Sequence, residues 1–372
     1  MTPNQQSLLT LLERAKQEGI DETLARQAST EGQPAQADDI PVHYLDGLPT
    51  REFFDSLSPE GYGENDYSHI WATLFSTDVD SGRSEMNLPY VVHGKGDKLL
   101  VACDDEPTQI VLPYKEAFPI FCLTPGKTYS WLMQSGAKVI KEGSFKVVGR
   151  VRWMKTRDNK YPHNMRDIGC PAKYVSEGGG IRYGRIYRAE HPDKIEVDSA
   201  DHLYLRDQLG ITVQLNLRDP KSDPARADLF EKTYSYNIPD YANLLTASAN
   251  NKALFKSAFV ALVKELQAGR NVLVNCWQGR DRTGTFCWFL QALCHMYPGY
   301  LQGHWELSCF DRCENSMIWE EGLTQGKLLQ MTSKFKAKWG ADPYKQALGL
   351  ATLVGIPSDA IKAYQDIMLI PF

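Results

Sequence analysis

The spacing of hydrophobic and polar positions changes once along the chain. Between about residues 40 and 150, short apolar runs of strand length are separated by turn residues, as at 99–102, 109–112 and 144–148. From about residue 165, apolar strands alternate with longer segments of helical spacing. The first pattern predicts an all-β region and the second an α/β region.

The second region gives an ordered set of elements. The pattern predicts strands at 181–187, 211–217 and 271–275, helices at 197–208, 251–268 and 283–296, and only helices after Pro298. Strands that alternate with helices are typical of a central, mostly parallel sheet flanked by helices on both faces. We therefore predict an α/β fold preceded by a smaller domain with a sandwich-like arrangement of strands.

The change in the spacing of apolar positions predicts three segments along the chain. We predict an N-terminal helix and polar linker over 1–38, with the helix at 7–18 and the linker at 27–39. A β-sandwich-like accessory domain over 39–150 follows, and its partner is left open. A catalytic domain is predicted over 151–372.

Composition excludes some classes of function. The chain of 372 residues has 42% hydrophobic and 23% charged residues, typical of a globular protein, and a net charge of −5 disfavours a broad nucleic-acid surface. No run of about 18 apolar residues predicts a membrane span, and the first residues lack a signal pattern. Cytoplasmic and exported locations both stay open.

The eight cysteines are predicted to be reduced thiols. Cys309 and Cys313 stand too far from further ligands to predict a zinc site. We predict neither a metal nor a cofactor.

The most informative segment is 272–284, which reads as an apolar strand, a tight loop and the start of a long helix. Cys276 opens the loop, Gly279 permits a sharp turn, and Arg282 closes it. A helix N-terminus presents free N–H groups and a positive dipole end to an anion. The same field favours a thiolate at Cys276.

This arrangement predicts a nucleophile inside a phosphate-binding loop. Cys276 would attack phosphorus, and Asp281 would protonate the leaving oxygen and then activate water. The predicted phosphate-binding residues are those of the loop and helix start: Trp277, Gln278, Gly279, Arg280, Arg282 and Thr283. The alternative is a buried structural cysteine beside a surface arginine.

The segment Cys-x-x-Gly-x-Asp-Arg-Thr-Gly resembles the loop of cysteine-dependent phosphatases with a Cys-x5-Arg pattern, and most of all a bacterial tyrosine-phosphatase-like family. Further segments are similar to that family in the same order: 164–169, 182–188, 209–218, 305–308 and 355–361. The resemblance implies Cys276 as nucleophile, Arg282 as phosphate binder and Asp281 as acid/base.

The chain departs from the family pattern at three positions. Asn275 stands where the family usually has the histidine before its cysteine, Asn216 where its strand often has aspartate, and Cys170 where a second glycine is usual. A histidine at this place helps to activate the thiol, so Asn275 is the departure that bears on catalysis.

Asp240 is an alternative general acid. It follows Pro239 and lies 36 residues before Cys276, similar to the mobile-loop aspartate of animal-type tyrosine phosphatases. The other interpretation of this dipeptide is a turn.

Two further arginines have open roles. Arg218 and Asp219 end a predicted strand, where they either meet a ligand or form an ion pair that fixes the next loop. Arg166 and Arg188 are expected to brace the sheet edge.

The expected activity is hydrolysis of phosphomonoesters through a cysteinyl-phosphate intermediate. The resemblance implies protein-tyrosine or dual-specificity substrates. The alternatives are a phosphoinositide or inositol-phosphate phosphatase, to which Arg280 would contribute charge, and a phospho-binding pseudophosphatase without turnover.

Overall fold

The structure is a computed structural model. It describes residues 10, 11, 13, 14, 91–113, 116–120, 122–147, 152, 154, 162, 164–172, 175, 176, 179–306, 308 and 327–370. These residues divide into two compact units, one up to residue 147 and the other from residue 152. Of the predicted N-terminal helix, Thr10, Leu11, Glu13 and Arg14 are described and are helical. The predicted linker at 27–39, Cys309 and Cys313 lie outside the described residues. The predicted domain boundaries stay predictions.

The first unit is built from antiparallel strands. Its strands are β1 (Val91–His93), β2 (Lys98–Cys103), β3 (Glu106–Val111), β4 (Ala117–Pro119), β5 (Thr128–Ser135) and β6 (Lys138–Lys146). Four of them form a sheet in the order β3-β2-β5-β6, and β1 pairs with β4. Leu99, Trp131 and Phe145 contribute to a buried core on this sheet. The strands are those expected of an all-β region, and the sandwich arrangement stays a prediction.

The second unit contains a five-stranded sheet and a two-stranded sheet. Its strands are β7 (Arg166–Asp167), β8 (Gly180–Ile181), β9 (Ile186–Ala189), β10 (Ile211–Asn216), β11 (Lys232–Ser235), β12 (Asn271–Asn275) and β13 (Leu369–Ile370). The larger sheet has the order β11-β10-β12-β9-β7, in which the first four strands are parallel and β7 is antiparallel to β9. The antiparallel pair β8 and β13 forms the smaller sheet.

The second unit also contains helices. They are α1 (Ala200–Leu203), a π-helical segment (Tyr204–Gln208), α2 (Asn243–Thr246), α3 (Ala249–Gln267), α4 (Asp281–Leu293), α5 (Pro298–Glu306), α6 (Lys327–Trp339), α7 (Pro343–Val354) and α8 (Ser358–Met368). The second unit is thus a mixed α/β structure. None of the described helices is long and apolar enough to cross a membrane.

Helix α4 lies in the middle of the core. All its residues from Thr283 to Leu293 are buried, and Phe255 of α3 meets the rings of Phe286 and Phe289 edge-on at 5.3 Å each. A helix that is apolar on all sides is stable only where other elements surround it. The core therefore fixes the position of the helix N-terminus that follows the Cys276 loop.

Two predictions about elements were wrong, and a third was right only in part. The strand predicted at 181–187 is two short strands, β8 and β9, because the chain turns between them at Gly184, whose φ is +78°. Strand β13 follows Pro298, where only helices were predicted. The helix predicted at 197–208 begins at Ala200 and continues as a π-helical segment from Tyr204.

Candidate active site

The parallel strands bring three chain segments to one edge of the sheet. Ala189, Asn216 and Asn275 lie side by side at the carboxyl ends of β9, β10 and β12. The loop 276–280 leaves β12 at this edge and leads directly into α4. Cys276, only 5% exposed, therefore lies between the carboxyl edge of the sheet and a helix N-terminus. Ligand sites of open α/β sheets are found at this kind of edge.

Hydrogen bonds from outside the loop hold its first two carbonyl oxygens. The Cys276 carbonyl accepts from the Asn275 side-chain amide at 3.3 Å. The Trp277 carbonyl accepts from the His191 backbone N–H at 3.2 Å.

The next two carbonyls are held in the same way by two buried side chains. The Asn164 amide nitrogen donates to the carbonyls of Gln278 at 3.2 Å and of Gly279 at 3.1 Å. The Arg188 guanidinium also donates to the Gly279 carbonyl, at 2.7 Å.

Four consecutive carbonyls thus point out of the loop. Because a trans peptide is planar, the N–H of each such peptide points the opposite way. The inner side of the loop is therefore lined by N–H groups, which belong to Trp277, Gln278, Gly279 and Arg280. Together with the dipole of α4, these N–H groups suit the binding of an anion.

A second layer of side chains holds Asn164 and Arg188 in place. Arg166, which is fully buried, donates to Asn164 and, at 2.9 Å, to the hydroxyl of Ser308. Arg188 donates to the same hydroxyl at 3.3 Å. The two arginines thus brace the rear of the loop.

A buried amide network surrounds Asn275, the residue before Cys276. Asn275 accepts from Gln214 at 3.0 Å and donates to the Asn216 side-chain oxygen at 3.3 Å. The same oxygen accepts from Arg218 Nε at 2.9 Å. Asn275 thereby links β12 to β10 and reaches the Cys276 carbonyl.

We expect Asn275→Ala to lower the free energy of unfolding by about 1–3 kcal/mol, because Gln214 and Asn216 would each lose a partner in a dry site. Urea unfolding, followed by circular dichroism, measures the change. Asn250→Ala, at an exposed position of α3, is the matched control and should stay within about 0.5 kcal/mol of wild type. Equal stability of the two variants would contradict this role of Asn275.

Asp281 lies in the first turn of α4 and is contacted by two donors. The Tyr241 hydroxyl donates to Asp281 Oδ1, and Arg280 Nε lies 3.2 Å from the same oxygen. Burial and then the Asp281 carboxylate raise the pKa of Tyr241, which keeps its hydroxyl protonated as a donor. Both donors engage Oδ1, so Oδ2 is the atom left for proton transfer.

Tyr241 is itself fixed from α4. Its backbone N–H donates to Thr285 Oγ1 at 2.9 Å, and that hydroxyl donates to the Asp281 carbonyl at 2.9 Å. Its φ of +47° is uncommon for a bulky residue. Asp240, the alternative acid, precedes Tyr241 and accepts from the Asn243 side chain at 2.9 Å in the turn before α2.

The remaining predicted residues lie at the helix start. Arg282 is partly buried, and its guanidinium lies 3.4 Å from the Leu217 carbonyl at the end of β10. Thr283 is fully buried, and its hydroxyl has no hydrogen-bond partner among the described residues.

Arg218 forms ion pairs, which is one of its two predicted roles, but its partners are Asp193 and Asp223 rather than Asp219. Its guanidinium binds Asp193 at 2.6 Å and Asp223 at 2.8 Å, whereas Asp219 accepts from the Lys221 backbone N–H. Asp219 thus caps its own turn.

Asp193 also lies 3.3 Å from the ring of His191. Burial opposes ionisation of Asp193, but hydrogen bonds from His191 and Arg218 hold its pKa below its usual range. The indole of Trp277 stacks on His191, with ring centroids 4.5 Å apart, and the Arg218 guanidinium lies 5.7 Å from the indole centroid. These residues form one cluster beside the loop.

No disulfide joins the cysteines that the structure describes, which are Cys103, Cys122, Cys170, Cys276, Cys287 and Cys294. Burial raises the pKa of the Cys287 thiol to about 11 and of the Cys294 thiol to about 12. These two are therefore core thiols. Across the described parts of the chain, no group of metal-ligating side chains is found.

Sequence reasoning missed several residues of the site. Asn164 belongs to a segment that resembles the phosphatase family, but its bond to the loop has no local signal. His191 carries no motif, and Tyr241, which the sequence suggests only as an aromatic wall of the cleft, has no signal for its bond to Asp281; both act through contacts between distant parts of the chain.

Comparison with known protein families points to a phosphatase. No curated protein matches the chain. Residues 159–298 match the family model described as "Tyrosine phosphatase family", so this part of the chain is similar to that family, and the match supports a phosphatase activity in general.

Proposed function

We propose that this protein hydrolyses phosphomonoesters through a cysteinyl-phosphate intermediate and that its substrates are phosphotyrosyl or dual-specificity phosphoprotein sites. One observation carries the proposal. Four consecutive carbonyls of the loop are bound from outside, so the N–H groups from 277 to 280 surround the space in front of Cys276.

In the first step, the Cys276 thiolate attacks phosphorus and an S–P bond forms. The P–O bond to the leaving group breaks as Asp281 Oδ2 delivers its proton to the leaving oxygen. Arg282 and the loop N–H groups stabilise the charge on the equatorial phosphoryl oxygens.

In the second step, the Asp281 carboxylate takes a proton from water while the water oxygen attacks phosphorus. The S–P bond breaks, phosphate leaves, and the thiolate and the protonated Asp281 are restored. Tyr241 and Arg280 hold the carboxylate on its other oxygen in both steps. No cofactor or metal enters this cycle.

The arrangement of Arg280 favours a substrate with one phosphate. Its side chain is 12% exposed and lies along the Asp281 carboxylate, so it offers little free charge for a second phosphate. This supports phosphoproteins over phosphoinositides and inositol phosphates.

The proposal is tested by measuring phosphate release by wild-type protein. The substrates are a phosphotyrosyl peptide, a phosphoseryl peptide and a panel of phosphoinositides. Cys276→Ser protein is the blank, because a neutral hydroxyl is a far weaker nucleophile than a thiolate. We expect phosphate release from the phosphotyrosyl peptide by wild type alone. Turnover restricted to the lipids would favour the phosphoinositide alternative. Binding without turnover above the blank would replace the enzyme by a phospho-binding pseudophosphatase.

A further inference from the structure

The residue next to the nucleophile is an exposed tryptophan. Trp277 is 56% exposed, the largest exposed fraction among the big apolar side chains of the described residues. Cys276, its neighbour in the chain, is 5% exposed. Since consecutive Cα atoms lie about 3.8 Å apart, the indole leaves the backbone directly beside the nucleophile.

The indole is exposed but well supported. His191 stacks against it with centroids 4.5 Å apart and an angle of 27° between the rings, and its backbone N–H also holds the Trp277 carbonyl at 3.2 Å. His191 is itself held through Asp193, whose Oδ2 lies 3.3 Å from its ring.

Arg218 strengthens the same support. Its guanidinium lies 5.7 Å from the indole centroid, a distance at which a cation is attracted to the ring. Arg218 and His191 both contact Asp193 Oδ2 and are both buried, so they hold the indole through one buried cluster. With 56% of its surface exposed, Trp277 keeps indole surface open to solvent beside the loop.

This proposal rests on the proposed phosphatase function and deepens it. We propose that Trp277 is a specificity-determining residue whose indole stacks on the aromatic ring of an aryl phosphate while the phosphate occupies the Cys276 loop. In an aryl ester the ring is bonded directly to the leaving oxygen, so ring and phosphate enter the site together. Alkyl phosphates such as phosphoserine or inositol phosphates present no aromatic face to the indole.

Stacking is the interaction that distinguishes aryl phosphates from alkyl phosphates. Two aromatic rings attract each other beyond the area they bury, and a ring already fixed by its neighbours loses little conformational entropy when a ligand stacks on it. Because His191 and Arg218 fix the indole, Trp277 needs no rearrangement to receive an aryl group.

Isothermal titration calorimetry with phenylphosphonate and cyclohexylphosphonate measures the contribution of stacking to binding, because neither ligand undergoes a chemical step. The two ligands share the anion and have six-membered rings, and they differ in aromaticity. We expect wild type to bind phenylphosphonate more tightly. The ratio of the two dissociation constants should shrink roughly 2- to 12-fold in Trp277→Ala, the range that one aromatic pair supplies.

Two further variants separate stacking from apolar bulk. Trp277→Leu should lose the preference as Trp277→Ala does, whereas Trp277→Phe should retain most of it. The kcat/KM ratio for phenyl over cyclohexyl phosphate should change in parallel, since the leaving-group chemistry is the same in every variant and cancels in the comparison.

The possible failures are distinguishable. An unchanged binding ratio in Trp277→Ala and Trp277→Leu would overturn the stacking role and leave the phosphatase proposal intact. If neither phosphonate binds and turnover does not exceed the Cys276→Ser blank, the proposed phosphate site is wrong, and this inference is wrong with it. Because Trp277 is exposed, all three variants are expected to fold, and thermal unfolding checks this.

Discussion

Asp281→Asn protein is expected to lose about 10²–10⁴-fold in kcat/KM for phosphotyrosyl peptide, the usual contribution of a general acid. The asparagine keeps the shape and the oxygen that Tyr241 and Arg280 contact, but it has no proton to give to the leaving phenolate. Tyrosine has a pKa near about 10, so its phenolate is a poor leaving group without that proton.

The leaving group supplies the decisive control. p-Nitrophenolate is a weak base that departs without protonation, so kcat/KM for p-nitrophenyl phosphate should fall far less in Asp281→Asn than kcat/KM for phenyl phosphate. A purely structural defect would lower both substrates equally. The fall in kcat/KM towards high pH, which arises because a general acid must be protonated, should also disappear in Asp281→Asn.

Asp240→Asn is the matched variant on the alternative acid. With Asp281 as acid, Asp240→Asn keeps the leaving-group dependence and the high-pH fall of wild type. The reverse result, with the large and leaving-group-dependent loss in Asp240→Asn, would assign the acid to Asp240. Tyr241→Phe, which removes one donor from Asp281 Oδ1, should give a smaller loss of the same kind.

Local sequence predicted the parts of this site that depend on local chemistry. Strand β12 was predicted at its observed bounds of Asn271–Asn275, since an apolar run between turn residues is typical of a buried strand. The loop and the start of α4 follow from one stretch of chain. Strand β11 was missed because its four residues, Lys232–Ser235, carry little apolar signal.

The supporting contacts lie beyond local sequence. Asn275 binds Gln214 and Asn216 from 61 and 59 positions away, and Asp281 meets Tyr241 from 40 positions away. Spacing along the chain carries no information on such pairs, because the register of β10 against β12 decides which side chains meet. The sequence shows that Asn275 precedes Cys276. It does not show the hydrogen bonds that Asn275 forms with Gln214 and Asn216.

Gly279→Ala protein is expected to lose both stability and activity. Gly279 has a φ of +67°, a conformation that costs other residues about 1–2 kcal/mol. A methyl group at this position would also lie 2.3 Å from the carbonyl carbon and oxygen of Ala189, which are backbone atoms of β9. Since a strand within the sheet cannot give way, the loop must move.

Movement of the loop would break the bonds from Asn164 and Arg188 to the Gly279 carbonyl. The N–H groups on the inner side would then lose their common direction, and a shift of about 1 Å is enough to cost on the order of 10²-fold in rate. We therefore expect a fall of that size in kcat/KM for phosphotyrosyl peptide, together with a lower midpoint of thermal unfolding.

Gly269→Ala separates the two causes. Gly269 has a similar φ of +81°, but a methyl group there would meet nothing within 4 Å. This control bears the backbone strain alone, so it should lose about 1 kcal/mol of stability and keep wild-type kcat/KM. If Gly279→Ala matched Gly269→Ala in both measurements, the close approach of the loop to β9 would have no part in shaping the site. If only Gly279→Ala loses activity, the anion-binding loop depends on contact with the neighbouring strand, and the glycine is required because of the space that β9 leaves.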